Sequence, residues 1–210
     1  MDTEPEFDYL LCLNICGDEG VGKYSLRRQY MGTYVGRYHY GCYVGHPLYR
    51  IEKGGFDSGF PYVRKIEGKR FTLFVKNIFD TPRFKQTTQK LQKLYYHGTH
   101  GVFILFDLTD ILSFNNVRWW IDNLLSHLGQ RRVPITIIGN KRDLYEAASE
   151  PVSMKQIGAL LVELKEKFTF PVLYQETDCK SGDRVEEVFN SLVTVCINWV
   201  KEGKKNINSK

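Results

Sequence analysis

Nine residues, GDEGVGKYS at 17–25, constrain this chain more than any other stretch. The apolar run 9–16, YLLCLNIC, precedes them, and a helix-compatible segment, 26–30, follows. Strand, glycine-rich turn and helix in that order suit a phosphate-binding loop. The glycines let backbone N–H groups curl round phosphate oxygens, and the helix N-terminus adds a favourable partial charge. Gly17, Gly22 and Lys23 fit G-x-x-x-x-G-K, in which the lysine meets the terminal phosphates and a following Ser or Thr holds Mg²⁺. Here the following residue is Tyr24, with Ser25 one place further on. The loop candidates for binding are therefore Glu19, Gly20, Val21, Gly22, Lys23, Tyr24 and Ser25.

Such a loop needs a sheet behind it. At 210 residues and 42% hydrophobic, the chain can build one well-cored domain rather than two. The net charge of +5 permits an acidic partner but falls short of a nucleic-acid-binding signature. Cys12, Cys16, Cys42, Cys179 and Cys196 form no C-x-x-C pair and read as reduced, mostly buried thiols. The start, MDTEPEFD, lacks a secretion-signal pattern, and no apolar run approaches the roughly 20 residues of a membrane span. A soluble, cytoplasmic domain is expected.

Downstream, strands and helices alternate. The stretch 31–63 is rich in glycine and tyrosine, which weakens any regular element and suggests a loop with a short strand near 47–51. Residues 64–80 alternate as one or two strands ending at Asp80, and 84–96 reads as helical. GVFILFD at 101–107 is a short continuous apolar run, as in a strand buried on both faces. From Ser113 a helix carries Val117, Trp120, Ile121, Leu124 and Leu128 on one face. ITIIG at 135–139 is a further strand. Ser153 with Gln156 forms a capping box for a helix carrying Ile157, Leu160, Leu161, Leu164 and Phe168. Residues 171–176 are a strand, and Asp183 with Glu186 opens a last helix burying Val185, Val188, Phe189, Leu192 and Cys196. This alternation predicts an α/β fold with a mostly parallel sheet and helices on both faces. Ligands of such sheets sit outside the carboxyl ends of the strands, where the loop, Asp80, Asn140 and Glu176 all fall.

With NKRD at 140–143 the chain resembles the Ras superfamily of small GTPases, its Rab branch most closely. The resemblance covers about residues 8–200. GDEGVGK is similar to the family's phosphate loop, and IFDTPRF at 78–84 to a shortened W-D-T-A-G-Q-E-R-F. YYHGTHGVFILFDLTDILSFNNVRWW at 95–120 is close to the Rab pattern, and ETDCK at 176–180 stands where E-T-S-A-K is usual. The resemblance implies a six-stranded P-loop G domain at 8–200, between a short N-terminal tail (1–7) and a basic C-terminal tail (201–210). It implies GDP or GTP as the ligand. An Asp143 carboxylate can accept hydrogen bonds from guanine N1–H and the 2-amino group, a pair that adenine lacks, and such a site rejects the wrong base. The resemblance further places Asn140 as a brace to the phosphate loop and Lys141 along the base. Asp178, Cys179 and Lys180 complete the base site, with the Cys179 backbone N–H offered to the guanine oxygen. Tyr34 lies near the aromatic that covers the guanine.

The departures from the family concern metal and hydrolysis. Tyr24 replaces the Mg²⁺-ligating Ser/Thr, and Tyr43 falls where the switch-one Thr is expected. After Asp80 the family's A-G-Q-E is reduced to Pro82, removing the Gly that senses the γ-phosphate and the Gln that orients water. Glu19 puts a carboxylate beside the γ-phosphate position. Asp80 alone remains as an indirect metal contact, and Arg83 is the one weak catalytic candidate. These changes imply weak or absent Mg²⁺ binding and slow or lost hydrolysis, hence a regulatory or scaffold protein. The alternatives are an active switch that uses noncanonical or partner-supplied residues and, on the loop alone, a P-loop kinase or ATPase.

Effector or regulatory proteins are the expected partners, through the switch region. The tyrosines at 30–49 read either as a partner surface or as a stacking platform for single strands, although the chain as a whole carries no nucleic-acid signature. His39, Cys42 and His46 find no fourth ligand for a metal site. The last cysteine is Cys196, so no prenylation site and no intrinsic lipid anchor are expected. Recruitment to membranes or complexes would then go through a partner.

Overall fold

The computed structural model describes residues 9–31, 62–66, 69–77, 93 and 96–208. Within them the apolar runs become the strands of one six-stranded sheet. Strands β1 (Tyr9–Gly17), β2 (Tyr62–Ile66), β3 (Lys69–Asn77), β4 (Gly101–Asp107), β5 (Ile135–Asn140) and β6 (Val172–Glu176) lie in the order β2-β3-β1-β4-β5-β6. Only β2 is antiparallel, forming a hairpin with β3 in which Tyr62 faces Leu73 and Ile66 faces Lys69. All other pairs are parallel. The expected run at 64–80 is thus two strands, and residues 78–80 lie outside the described ones.

Every residue of β4 is buried, because both faces of the sheet are covered. Val102, Ile104 and Phe106 point to one face, against Trp120, Ile121, Leu124, Ile157 and Leu160. Phe103 and Leu105 point to the other, against Leu26, Phe189, Leu192 and Val193. At about 1.5–3 kcal/mol per large apolar side chain taken out of water, this double burial is the main reason the run is a central strand. The chain winds one way from β1 to β3 and the other way from β4 to β6. That reversal makes the β1–β4 border a switch point, where loops part and leave a crevice.

Helices α1 (Lys23–Met31) and α5 (Val185–Asn208) cover one face, with Tyr30 stacked on Phe189 at 3.7 Å between ring centroids. Helices α2 (Ile111–Asn115), α3 (Val117–Leu128) and α4 (Met154–Lys167) cover the other. The capping box on α4 is present as its sequence predicts, with Gln156 N–H donating to Ser153 Oγ at 3.3 Å and Ser153 N–H to Gln156 Oε1 at 2.9 Å.

Two helix boundaries differ from expectation. The helix expected from Ser113 starts earlier and is split. Asp110 caps a single turn over 111–115, Asn116 ends it, and α3 follows. Ser113 lies inside that turn, its Oγ donating to the Asp110 carbonyl at 2.8 Å and accepting from Asp107 N–H at 3.0 Å. The last helix begins at Val185, and Asp183 pairs with Asp178 in an isolated bridge instead of capping it. It then runs to Asn208, into the stretch expected as a tail. A helix already nucleated lengthens at little cost through residues such as Lys and Glu.

No described helix is long and apolar enough to cross a membrane. Cys12, Cys16, Cys179 and Cys196 are buried thiols outside any disulfide, and burial pushes the Cys16 and Cys196 thiols up to about 12. The expected strand near 47–51, the expected helix over most of 84–96, and His39, Cys42, Tyr43, His46 and Pro82 all lie outside the described residues.

Candidate nucleotide-binding site

At the carboxyl end of β1 the chain turns through Gly17, Gly20 and Gly22, with φ of +141°, +79° and +103°. These values favour glycine, and at two of the positions space demands it as well. A Cβ on Gly17 would overlap the Leu105 carbonyl oxygen, and one on Gly22 the Asn140 amide nitrogen. A Cβ at Gly20 would meet nothing, so that side of the loop is open. Helix α1 follows at once, with Leu26 N–H donating to the Gly22 carbonyl at 2.9 Å. Lys23 is buried, and its ammonium donates to the carbonyls of Gly17 at 2.7 Å and Asp18 at 2.5 Å. Glu19, Gly20 and Ser25 are exposed. Tyr24 points its phenol to solvent, 61% exposed.

Asn140 ends β5, and its side chain ties three segments together. Nδ2 donates to the Val21 carbonyl at 2.7 Å, inside the loop. Oδ1 accepts from Thr177 Oγ1 at 3.3 Å and from the Cys179 backbone N–H at 3.1 Å. That N–H therefore faces Asn140 in this structure. Lys141, in the left-handed region at φ +64°, extends its ammonium to the Asp107 carboxylate at the end of β4. Burial alone would raise the Asp107 carboxyl, but Lys141 and two hydrogen bonds from Thr109 hold it below the usual range. Asp143 follows in a 3₁₀ turn over Arg142–Ala147, its carboxylate exposed.

The segment after β6 is held by its own backbone. Asp178 accepts from Lys180 N–H at 2.8 Å and Ser181 N–H at 3.2 Å. Those bonds outweigh burial and keep its carboxyl low. Arg142 bridges the two loops, its Nε 3.2 Å from Glu176 Oε2 and its N–H donating to the Thr177 carbonyl at 3.3 Å. Glu176 also accepts from the Tyr174 hydroxyl at 2.8 Å. Lys180 is exposed beside this turn.

Asn140 thus joins the phosphate loop (Val21, Gly22) to Cys179, and Lys141 and Asp143 follow it in the chain. Tyr34, Asp80 and Arg83 lie outside the described residues. Several contributors escape a linear reading. Asp107 and Thr177 are found only through contacts across the sheet. Asp18, inside the motif, accepts from Trp120 Nε1 at 2.8 Å and Asn116 Nδ2 at 2.6 Å, partners about a hundred residues away that no local signal marks.

A glycine cradle with positive φ, an open side at Gly20 and a buried lysine at the helix head fits a polyphosphate. Comparison with known proteins agrees. The Ras family pattern matches residues 59–198. The Ras-related protein RabF1 of Dictyostelium discoideum is 31% identical over 94% of this chain and 90% of its own length. The Ras-related protein RABD2b of Arabidopsis thaliana is 31% identical over 90% and 81%, and the GTP-binding protein YPTM1 of Zea mays 32% over 88% and 76%. With its six-stranded α/β sheet and its phosphate loop at the switch point, the chain belongs to the Ras family of small GTPases, as a Rab-like member.

Proposed function

We propose that this protein binds GDP or GTP, hydrolyses GTP slowly or not at all, depends little on Mg²⁺, and acts as a regulatory or scaffold protein. Lys23 and the backbone of 19–23 would hold the phosphates, and Asn140, Lys141, Asp143 and the 178–180 turn the base. The observation that carries the slow-hydrolysis reading is Tyr24, exposed at the head of α1 where this motif places a Mg²⁺-binding hydroxyl. A phenol oxygen sits at the far end of a rigid ring, so the ring itself would occupy the ion's position. Mg²⁺ also demands oxygen ligands at about 2.0–2.1 Å in near-octahedral array, so a solvent-facing ring is a poor substitute. Ser25 is one residue on, turned about 100° round the helix, and is exposed.

The sequence at 80–84 lacks the Gly and Gln used to sense the γ-phosphate and orient water, and Glu19 adds negative charge nearby. Phosphoryl transfer relies on such positioning and electrostatic groups, so their loss leaves binding with little catalysis. Effector or regulatory proteins would engage the switch region, and recruitment to membranes would follow a partner.

Two measurements test this reading. Nucleotide released by denaturation and separated by HPLC is expected to be GDP or GTP; ATP would point to a kinase or ATPase, and an empty site would overturn the binding reading. Single-turnover phosphate release is expected at or below about 10⁻⁴ s⁻¹, the scale of an unstimulated Ras-type protein. A rate far above this would reveal a substitute catalytic group, with Arg83 the first residue to replace.

A further inference from the structure

Two acidic residues stand side by side in the phosphate loop, yet only Glu19 is free to face solvent. Asp18 is turned the other way. Its Oδ1 accepts from the indole N–H of Trp120 at 2.8 Å and its Oδ2 from the Asn116 amide at 2.6 Å. Trp120 is fully buried in the core beneath α3, so its N–H needs an acceptor within the protein. Asn116 is more telling. Asparagine at a helix N-cap ordinarily turns its side chain back onto the first-turn N–H groups. At the start of α3 it makes no such cap bond, and its amide goes to Asp18 instead. Its backbone meanwhile ends α2 and begins α3, its N–H donating to the Leu112 carbonyl at 3.1 Å and its carbonyl accepting from Trp120 N–H at 3.0 Å. The side chain that could cap the helix through its oxygen is instead turned to the loop, which it meets through its amide N–H.

The other end of Asp18 reaches Lys23, whose ammonium donates to the Asp18 carbonyl at 2.5 Å. One residue is therefore pinned by its side chain to the α2–α3 junction and by its carbonyl to the lysine of the motif. Fixing the carboxylate fixes the peptide plane, and the peptide plane directs the ammonium. The geometry points to Asp18 as a positioning residue. Held by Trp120 and Asn116, it sets where Lys23 meets a phosphate and keeps one of the loop's two negative charges turned away from the ligand. This rests on the guanine-nucleotide reading above and adds to it a latch joining the phosphate loop to α3.

Release of a fluorescent GDP analogue, followed by stopped flow, tests the latch. Asn116→Ala, at an exposed position, and Trp120→Phe, which removes the indole N–H, are each expected to speed release about fivefold, the scale of one lost hydrogen bond. Asn116→Asp puts a second carboxylate against that of Asp18 and should do the same. The exchange Asp18→Asn with Asn116→Asp rebuilds the pair in reverse, since the new amide at 18 accepts from Trp120 and donates to the new carboxylate at 116. Release from the double variant is expected to return to within twofold of wild type, with the GDP-over-ADP preference unchanged in all four. A merely structural role would lower the melting temperature without that rescue. Binding by wild type with Asn116→Ala and the exchange both releasing at wild-type rate would overturn the latch alone. Failure of wild type to bind the GDP analogue would overturn the functional reading and the latch with it.

Discussion

Around Asn140 the polar contacts are buried and two of the three are to backbone: the amide meets the Val21 carbonyl, and its oxygen takes the Cys179 N–H and the Thr177 hydroxyl. At the head of α1, by contrast, the side chain of Tyr24 stands in solvent. Both regions lie at the carboxyl ends of the strands, but substitution costs them very different amounts. Position 140 cannot change without orphaning buried groups in two other segments, the phosphate loop and the turn after β6. Position 24 can change with little loss of packing. A chain of this fold can therefore change at the head of α1 while the Asn140 junction and the architecture stay whole.

The contrast breaks most sharply at Asn140. Asn140→Ala strands a buried carbonyl and a buried N–H, each costing about 1–3 kcal/mol. Guanine-nucleotide affinity is expected to fall at least about a hundredfold by competition titration, with a lower melting temperature. Unchanged affinity would show that this corner does not support a base site.

Asp143→Asn should act on the base alone, because its side chain is exposed. Wild type is expected to prefer GDP over ADP at least tenfold, and the variant to lose guanine affinity by a few tens of fold, about 2 kcal/mol, while keeping xanthine nucleotides. Equal affinity for ATP and GTP in wild type would remove the guanine reading.

At the other region the expected effects are small, and their smallness is the point. EDTA should change the release rate of a fluorescent GDP analogue by less than tenfold, or about 1.4 kcal/mol. Tyr24→Thr should restore part of the EDTA sensitivity. Much faster release from wild type after chelation would mean that another residue holds the metal.

The smallest effect concerns the Lys141–Asp107 pair. Its folded carboxyl lies below the unfolded value near 3.9, so the stability it adds is present above that pH and is lost as pH falls through the lower folded value. Asp107→Asn is expected to cost about 1 kcal/mol at pH 7. The gap from wild type should narrow as pH falls below that unfolded value in denaturant titrations, and a gap constant with pH would show that the pair contributes no linkage.

Much of this arrangement was legible in the chain, for reasons that differ along it. The central strands were readable because burial on both faces forces unbroken apolar runs such as 101–107. The α4 cap was readable because Ser153 and Gln156 act within one turn. Asn140 was readable because it closes a buried apolar run and opens the NKRD motif. The split at Asn116 was not, since the apolar spacing from Val117 onward shows a helical face without saying where the helix begins. The extension of α5 past Lys201 was hidden by a lysine-rich composition that suits tail and helix alike. Asp18 with Trp120, and Lys141 with Asp107, join residues far apart in sequence, and only the folded sheet brings them together.

The Asn140 amide lies in the volume that a side chain at Gly22 would need. Positions 22 and 140 thus share one parcel of space although they stand 118 residues apart. A descendant of this sequence could not acquire even alanine at 22 and retain Asn140 in its present place; the two would have to drift together, through intermediates lacking one partner. Such a paired constraint makes the junction of phosphate loop and base corner slow to diverge. The solvent-facing position at 24 can be rewritten one substitution at a time.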